Sequence, residues 1–246
     1  MDSVRTPFAR VGNKYHLRKI LIGKIPPHNT YIEPFAGSGA LFFFKPSATK
    51  SVLNDKDTRL MTAFRLLKQI SPDVDKYNIQ DSMAGIQNFV KSHQDTKENK
   101  FLKILYIMNN TFGSKGWGKI FKFSTHLNKL KNIAQYKEKL KNTTLLNQDY
   151  KKLLRQYNTR DAFWFLDPPY DGSVKNTLYT DAALDYEELN DMLKKIKGKF
   201  LLTINDSPKM RSIFRGWKLK KIQVVSNTHG NSYLGKDRNE LLVSNY

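Results

Sequence analysis

Residues 163–172 of the chain are FWFLDPPYDG. The four apolar residues in a row predict a short strand that is buried on both faces of a parallel sheet. Pro168 and Pro169 end this strand, because proline cannot donate to a sheet ladder or continue into a helix interior. Asp167 is therefore left at the carboxyl end of a central strand, which is where open α/β sheets bind their ligands.

Several other segments follow the same plan of an apolar run that ends in an acid or an amide. The strand-like segments are 30–35, 50–55, 142–149, 162–167, 199–206, 217–226 and 239–246. Apolar residues at helical spacing lie between most of them, as at 16–25, 59–70 and 184–196. This alternation predicts an α/β fold with a mostly parallel sheet covered by helices on both faces, and the last two strands are close enough to pair as an antiparallel hairpin.

One region, residues 71–141, has helical patterns and no convincing parallel strand. It is also basic, since Lys91 to Arg155 contains 15 Lys and Arg residues against four acids. Within it, residues 107–124 (IMNNTFGSKGWGKIFKFS) combine Gly, Asn and Lys with aromatic residues. Such a segment suits a loop that closely approaches a phosphate backbone, and a plain surface loop is the alternative. We interpret the region as a helical insertion that splits the α/β domain.

The composition favours a polyanionic partner. The chain has 246 residues, and 42 Lys and Arg against 22 Asp and Glu give a net charge of +20. Nucleic acid is the leading candidate partner for such a surface. The alternative is that the surface is simply solvated and basic because the source organism has a Lys-rich proteome. The absence of cysteine excludes disulfides and thiolate metal sites. No apolar run is long enough to span a membrane, so we expect a soluble, intracellular protein. The histidines lack the spacing of metal ligands, so we expect no metal; they are at positions 16, 28, 93, 126 and 229.

The stretch EPFAGSGALFF (33–43) places Gly37 and Gly39 between a strand and the start of a helix. This arrangement brings the backbone close to a nucleotide-like ligand. The spacing differs from G-x-G-x-x-G and no Lys-Ser/Thr follows, which argues against a cradle for a pyrophosphate or triphosphate. A purely structural glycine turn is the alternative.

Acids also end the next two strands. Asp55 follows Gly37 by 18 positions, where a carboxylate can accept both ribose hydroxyls of a nucleoside. Asp57 competes for this role, although its position favours the first turn of the following helix. Asp149 could bond an adenine amino group while Tyr150 packs beside the ring, and N-capping of a helix by Asp149 is an equal alternative.

The tetrapeptide DPPY (167–170) is suited to hold an amino group. Because proline has no N–H, the Pro168 carbonyl is a free acceptor at a fixed angle. Together with the Asp167 carboxylate it can accept both hydrogens of an –NH2 group, and Tyr170 offers a flat face on which a base can stack. The motif therefore indicates a site for an unstacked nucleobase.

Taken in order, these motifs resemble the Dam-type (D12 class, α-group) DNA adenine N6-methyltransferases over most of the chain. The matching segments are VGNKYHLRKIL (11–21), YIEPFAGSGALFF (31–43), LNDKD (53–57), NNTFGSKGWGKIFKF (109–123), DPPY (167–170) and NELLVSNY (239–246). They resemble, respectively, the family's N-terminal motif, its S-adenosyl-L-methionine (AdoMet) motif, its ribose-binding acid, a segment of its target-recognition domain, its catalytic motif and its closing strand.

The resemblance implies a seven-stranded Rossmann-like AdoMet-dependent methyltransferase sheet with an inserted helical target-recognition domain. Residues 1–57 and 142–246 would form the AdoMet-binding catalytic domain, and residues 58–141 the insertion. The implied activity is site-specific transfer of the AdoMet methyl group to N6 of a flipped-out adenine in double-stranded DNA, as in restriction-modification. We expect a monomer in solution, with a dimer on DNA as the alternative, in the cytoplasm or nucleoid, or in the host cytoplasm for a viral source.

Two classes of alternative remain open. One is an AdoMet-dependent methyltransferase that acts on cytosine N4, an RNA adenine or a glutamine amide. The other is a DNA-binding relative that has lost catalysis, and a metal-dependent nuclease is disfavoured by the scattered histidines.

The candidate site residues fall into three groups. The catalytic group is Asp167, Pro168, Pro169 and Tyr170. The AdoMet-binding group is Arg10, Lys14, Glu33, Pro34, Phe35, Gly37, Gly39, Asp55, Asp149, Tyr150 and Asp167. The DNA-binding group is Asn109, Asn110, Lys115, Trp117, Lys119 and Lys122. The chain departs from the family pattern at Arg10, where an aromatic residue is usual, and at Asn13, which replaces a glycine.

Overall fold

A seven-stranded sheet forms the centre of the molecule, with strand order β3-β2-β1-β4-β5-β7-β6. The computed structural model describes residues 4–10, 14, 16–111, 120, 123–170, 184–224 and 238–246. The strands are β1 (Thr30–Glu33), β2 (Lys50–Asn54), β3 (Thr143–Leu146), β4 (Ala162–Leu166), β5 (Lys199–Asn205), β6 (Lys218–Val224) and β7 (Arg238–Ser244). Each lies within or next to a strand predicted from the sequence, so the α/β class and the seven strands are confirmed.

Helices connect the strands and pack on the sheet. They are α1 (Arg18–Ile22), α2 (Ala40–Phe44), α3 (Thr58–Gln69), α4 (Met83–Lys91), α5 (Lys97–Asn110), α6 (Leu127–Lys131), α7 (Ile133–Leu140), α8 (Tyr150–Gln156), α9 (Tyr186–Leu193) and α10 (Pro208–Ile213), with a 3₁₀ helix at Val74–Lys76. Among the described helices, none is long and apolar enough to cross a membrane.

Strand β4 lies at the centre of the sheet and is buried along its whole length. It pairs in parallel with β1 on one side and β5 on the other. Its side chains alternate between two cores: Phe163 and Phe165 belong to the core on one face, and Trp164 and Leu166 to the core on the other. An uninterrupted apolar run is what a strand covered on both faces requires.

The helices of the predicted insertion share a hydrophobic core with the sheet. Helix α3 packs against α5 and α7. Their buried side chains, including Phe64, Leu105 and Tyr136, share one core with Phe163 of β4. The helical content of residues 58–141 agrees with the sequence pattern, and the division into a catalytic and a target-recognition domain stays a prediction.

Strand β7 runs antiparallel to both of its neighbours and lies between β5 and β6. The antiparallel pairing of β6 with β7 was predicted, whereas the insertion of β7 beside β5 was not. Because β7 is antiparallel, its beginning lies at the carboxyl end of β5, where Glu240 is opposite Asn205. The final strand thereby contributes to the edge of the sheet at which ligands are expected.

Candidate active site

The loop after β1 meets the end of β4 where the strand order reverses. Two glycines shape this loop, because Gly37 and Gly39 have positive φ angles of 49° and 67°. A Cβ atom on Gly39 would lie 3.1 Å from the ring of Phe43, whereas a Cβ on Gly37 would meet nothing within 4 Å. Gly39 is therefore required for packing, and the space beside Gly37 is open to a ligand that approaches the backbone.

Asp55, directly after β2, holds this loop in place. Its carboxylate accepts hydrogen bonds from the backbone N–H of Gly37 at 2.8 Å and of Asp57 at 2.9 Å, one on each oxygen. Burial raises the pKa of Asp55, and the nearby positive charge of Arg10 opposes that rise. Each carboxylate oxygen can accept more than one hydrogen bond, so the side chain keeps capacity for the ribose hydroxyls predicted from the sequence.

Arg10 and Asp57 form an ion pair beside Asp55. Arg10 Nη1 lies 2.5 Å from Asp57 Oδ2, and both side chains are largely buried. Asp57 Oδ1 accepts a hydrogen bond from the N–H of Leu60 at 3.1 Å, so Asp57 is the N-cap of α3. This corrects the prediction that Asp57 is in the first turn of that helix. Burial acts to raise the pKa of Asp57, but Arg10 and the capping hydrogen bond outweigh it and the pKa is lowered.

Glu33, the last residue of β1, is only 2% exposed. Its Oε1 accepts a hydrogen bond from the Tyr31 hydroxyl, and the ammonium of Lys45 lies 4.3 Å from the centre of the Tyr31 ring. Burial raises the pKa of Glu33 to about 8; the charge of Asp167 adds to the rise, while Tyr31 and Lys45 oppose it. Glu33 is thus an internal polar group of the site, and direct contact with AdoMet stays a prediction.

Asn54 joins the ends of three strands and was missed by the sequence interpretation. Its amide nitrogen donates to the carbonyls of Pro34 at 2.9 Å and Gln148 at 3.0 Å. Its amide oxygen accepts from the N–H of Gln148 at 3.0 Å. The side chain is buried, so these bonds fix the loops after β1, β2 and β3 relative to one another. An amide that ends an apolar strand is the sequence signal that could have identified it.

At the end of β3, Asp149 is the N-cap of α8. Its Oδ1 accepts from the N–H of Lys151 at 2.9 Å, which is one of the two roles that the sequence left open. The Tyr150 ring packs against Phe35, with 5.0 Å between ring centres. Tyr150 is buried and Phe35 is partly exposed. The structure therefore brings Phe35 and Tyr150 together, while their contact with AdoMet stays a prediction.

Asp167 receives two hydrogen-bond donors on the same oxygen. Lys14 Nζ lies 2.6 Å from Asp167 Oδ1, and the Thr203 hydroxyl donates to Oδ1 at 2.9 Å. Lys14 Nζ also lies 3.9 Å from Glu240 Oε1. Lys14 was predicted to contact AdoMet, and in the structure it binds the carboxylate of Asp167; its contact with AdoMet stays a prediction. Thr203 and Glu240 were not identified from the sequence.

The rest of the DPPY motif is held by neighbouring side chains. The Tyr186 hydroxyl donates to the Pro169 carbonyl at 2.5 Å. Lys14 Nζ lies 4.8 Å from the centre of the Tyr170 ring. Burial raises the pKa of the Tyr170 hydroxyl, and the carboxylates of Asp167 and Glu240 add to this rise. Tyr170 is therefore a neutral phenol, with a cation against its ring.

Asn109 and Asn110 are buried, with 2% and 0% of their surface exposed. Asn109 Oδ1 accepts from the N–H of Ala9 at 2.9 Å. Asn110 Nδ2 donates to the Ser124 carbonyl at 3.4 Å, and its Oδ1 lies 2.6 Å from His126 Nε2. The two asparagines thus have internal hydrogen-bond partners, and their contact with DNA stays a prediction.

The other predicted DNA contacts lie outside the described residues; they are Lys115, Trp117, Lys119 and Lys122. An isolated antiparallel bridge joins Thr111 and Ile120. In the described part of the chain, no cluster of His, Asp and Glu side chains could hold a metal ion.

The sheet with its antiparallel last strand, the glycine loop and the acids along one edge define an AdoMet-dependent methyltransferase of Rossmann-like fold. Residues 11–228 match the D12 class N6 adenine-specific DNA methyltransferases, and the chain belongs to this family. Its cofactor is accordingly AdoMet and its substrate is DNA. The open space at Gly37 and the carboxylate of Asp55 fit such a cofactor.

The chain is similar to two type II methyltransferases. It is 25% identical to M1.LlaDCHI of Lactococcus lactis subsp. cremoris, over 89% of this chain and 87% of the relative. It is 24% identical to M.CviBI of Paramecium bursaria Chlorella virus NC1A, over 77% of this chain and 78% of the relative. Among solved structures, precorrin-6Y C5,15-methyltransferase of Geobacter metallireducens GS-15 is 12% identical, with a TM-score of 0.45 over 96% of this chain and 92% of that one.

Proposed function

We propose that the protein transfers the methyl group of AdoMet to N6 of a specific adenine in duplex DNA, with the adenine flipped out of the helix. One observation carries the proposal: the Asp167 carboxylate is fixed at the end of β4, beside the loop whose Gly37 is open to a ligand. A cofactor at Gly37 and a base at Asp167 would meet at the point where the strand order reverses, which is the expected ligand crevice of an open α/β sheet.

On the cofactor side, the chain supplies backbone and carboxylate groups. Gly37 allows the ligand to approach the main chain, Asp55 accepts hydrogen bonds from ribose hydroxyls, and Phe35 lies beside the adenine. When bound, AdoMet supplies an electrophilic methyl group on a positively charged sulfur. The residues around it serve to bind and orient the cofactor rather than to activate it.

On the target side, the chain activates a weak nucleophile. The lone pair of adenine N6 is delocalised into the ring, which makes the amino group a poor nucleophile. If the Asp167 carboxylate and the Pro168 carbonyl accept its two N–H bonds, the nitrogen becomes more nearly tetrahedral and its lone pair is available. Bound AdoMet would supply the methyl group for the new N–C bond and its sulfur would take the electrons of the methyl–sulfur bond, while Asp167 would accept the proton that the nitrogen loses. Fixed acceptors contribute here through orientation and electrostatics.

The target base has to leave the duplex, because N6 is inaccessible in a stacked helix. We assign stacking on the flipped base to Tyr170, whose ring offers a flat face. The net charge of +20 favours contact with DNA phosphates, and the affinity for DNA should therefore decrease with salt. We assign target recognition to residues 58–141, with Lys115, Trp117, Lys119 and Lys122 as the DNA contacts.

The test is methyl transfer from labelled AdoMet to unmethylated duplex DNA, with the product nucleosides separated. N6-methyladenine supports the proposal, whereas N4-methylcytosine, or transfer to RNA alone, would overturn the assignment of the target. Asp167→Ala should abolish transfer while DNA binding stays measurable. Asp161→Ala, at the exposed amino end of the same strand, is the matched control and should remain active. Turnover by Asp167→Ala would contradict the mechanism.

A further inference from the structure

Thr203 is the one threonine hydroxyl that contacts Asp167 in the described residues. It lies on β5, next to β4, and is 0% exposed. Its hydroxyl is 2.9 Å from Asp167 Oδ1 and 3.4 Å from the Leu166 carbonyl oxygen. A hydroxyl has one hydrogen to donate, and the shorter contact to a charged acceptor is the stronger.

The surroundings of Thr203 explain why a polar residue at this position has to be paired. On the face of the sheet to which Thr203 points, Leu201 of β5 and Leu242, which is opposite Thr203 on β7, are apolar and buried. A hydroxyl inside a core is unfavourable unless it is hydrogen-bonded. Thr203 is also β-branched, so its χ1 angle is restricted and its hydroxyl is held in a defined direction.

We propose that Thr203 is a positioning residue for methyl transfer: it fixes the Asp167 carboxylate so that Oδ2 accepts the hydrogen bond from the target amino group. Lys14 and Thr203 both bind Oδ1, at 2.6 and 2.9 Å. Among the described contacts, Oδ2 is thus the carboxylate oxygen left for a ligand. The carboxylate is 18% exposed, so a base can reach it. This inference rests on the proposed function.

The two donors on Oδ1 differ in stiffness. Lys14 reaches Asp167 through a long, flexible side chain and also contacts Glu240 and Tyr170. The Thr203 hydroxyl is carried directly on the Cβ atom of a residue that is fixed in the sheet. Thr203 therefore determines the rotation of the carboxylate, and Lys14 supplies charge. Removing the hydroxyl should affect the transfer step more than the binding of either substrate.

The experiment compares Thr203→Val with Thr203→Ser under single-turnover conditions with saturating AdoMet and DNA. We expect valine to slow transfer by about tenfold or more, because a charge-assisted hydrogen bond that orients an acceptor is lost. The KM for AdoMet and the Kd for DNA should change by less than about twofold, since neither ligand touches Thr203. Serine restores the hydroxyl and should recover the rate to within about threefold.

Thr143→Val, at the amino end of β3, controls for the same substitution in a strand away from the site. Circular dichroism and thermal unfolding verify the fold of each variant. If Thr203→Val does not fold, Thr203→Ala replaces it, because alanine and serine differ by the hydroxyl alone.

Each of three results would overturn the proposal. The valine or alanine variant could transfer methyl groups at the wild-type rate, or the serine variant could be as slow as these two. The third result is a rise in the KM for AdoMet that accounts for the whole defect. If the wild type makes N6-methyladenine and substitutions at position 203 do not change the rate of transfer, this inference is refuted and the proposed function stands. A wild-type protein without any methyl transfer would refute both.

Discussion

Glu33 should make the stability of the fold depend on pH. It is 2% exposed at the end of β1, and burial raises its pKa from 4.5 to about 8. The folded protein therefore keeps the proton of Glu33 over a pH range in which the unfolded chain has lost it. The contribution of this group to stability is complete below about pH 4.5 and is lost as the pH rises through about 8.

The size of the effect follows from the two pKa values. Over the interval from 4.5 to about 8, the free energy of unfolding should fall by about 1.4 kcal/mol per pH unit, or about 5 kcal/mol in total. Glu33→Gln removes the titrating group and keeps an oxygen for the Tyr31 hydroxyl. The variant should therefore gain stability relative to the wild type as the pH rises.

The assay is urea unfolding of both proteins at several values between about pH 5 and pH 9. The difference in the free energy of unfolding should grow through this range and level off above about pH 8. In Tyr31→Phe the hydroxyl that lowers the pKa of Glu33 is absent, so the range should extend to higher pH. Glu138→Gln controls for the loss of an exposed carboxyl. Parallel curves for the wild type and Glu33→Gln would refute the reasoning.

The other predictions concern the loop, the ion pair and the buried amide. Gly37→Ala should destabilise the fold by about 1–2 kcal/mol, because position 37 has a positive φ angle. The alanine methyl group would also enter the open space, so the affinity for AdoMet measured by calorimetry should fall by about tenfold. An unchanged affinity would place the cofactor elsewhere. Asp57→Ala removes both the N-cap, worth about 1–2 kcal/mol, and the ion pair with Arg10, so the free energy of unfolding should fall by more than the cap alone contributes. Asp57→Asn keeps the cap and should recover that part of the loss in denaturant titrations, so equal losses would count against capping. Asn109→Ala leaves the Ala9 N–H unpaired and should lower the free energy of unfolding by about 1–3 kcal/mol. If the variant keeps the wild-type stability but binds DNA more weakly, Asn109 contacts DNA.

Most of the strands could be predicted because they are apolar runs followed by a polar residue, whereas β6 is a lysine-rich edge strand that is largely exposed. The position of β7 in the sheet could not be predicted, because the sequence of the hairpin is compatible with either β6 or β7 as the neighbour of β5. The alternation of side chains is the same in both cases, and the choice is made by tertiary pairing such as that of Leu202 with Val243.

The acids of the site could be predicted because they follow directly from the ends of strands. Their partners could not, because they come from distant parts of the chain: Arg10 pairs with Asp57, and Lys14 and Thr203 with Asp167. The burial of Asn109 could not be predicted for a different reason. Its neighbours in sequence are polar and glycine-rich, but α5 extends to Asn110 and carries the side chain into the core.

The position of β7 has a consequence for the order of synthesis on the ribosome. β7 follows the other six described strands in sequence, yet it pairs with β5 in the interior of the sheet. Until β7 emerges, β5 has an open edge whose backbone groups can pair with another nascent chain. Glu240 also joins the Asp167 edge only at that stage. Slow translation or premature termination before residue 238 should thus yield aggregates, and the Asp167 edge should be complete only after β7 has been synthesised.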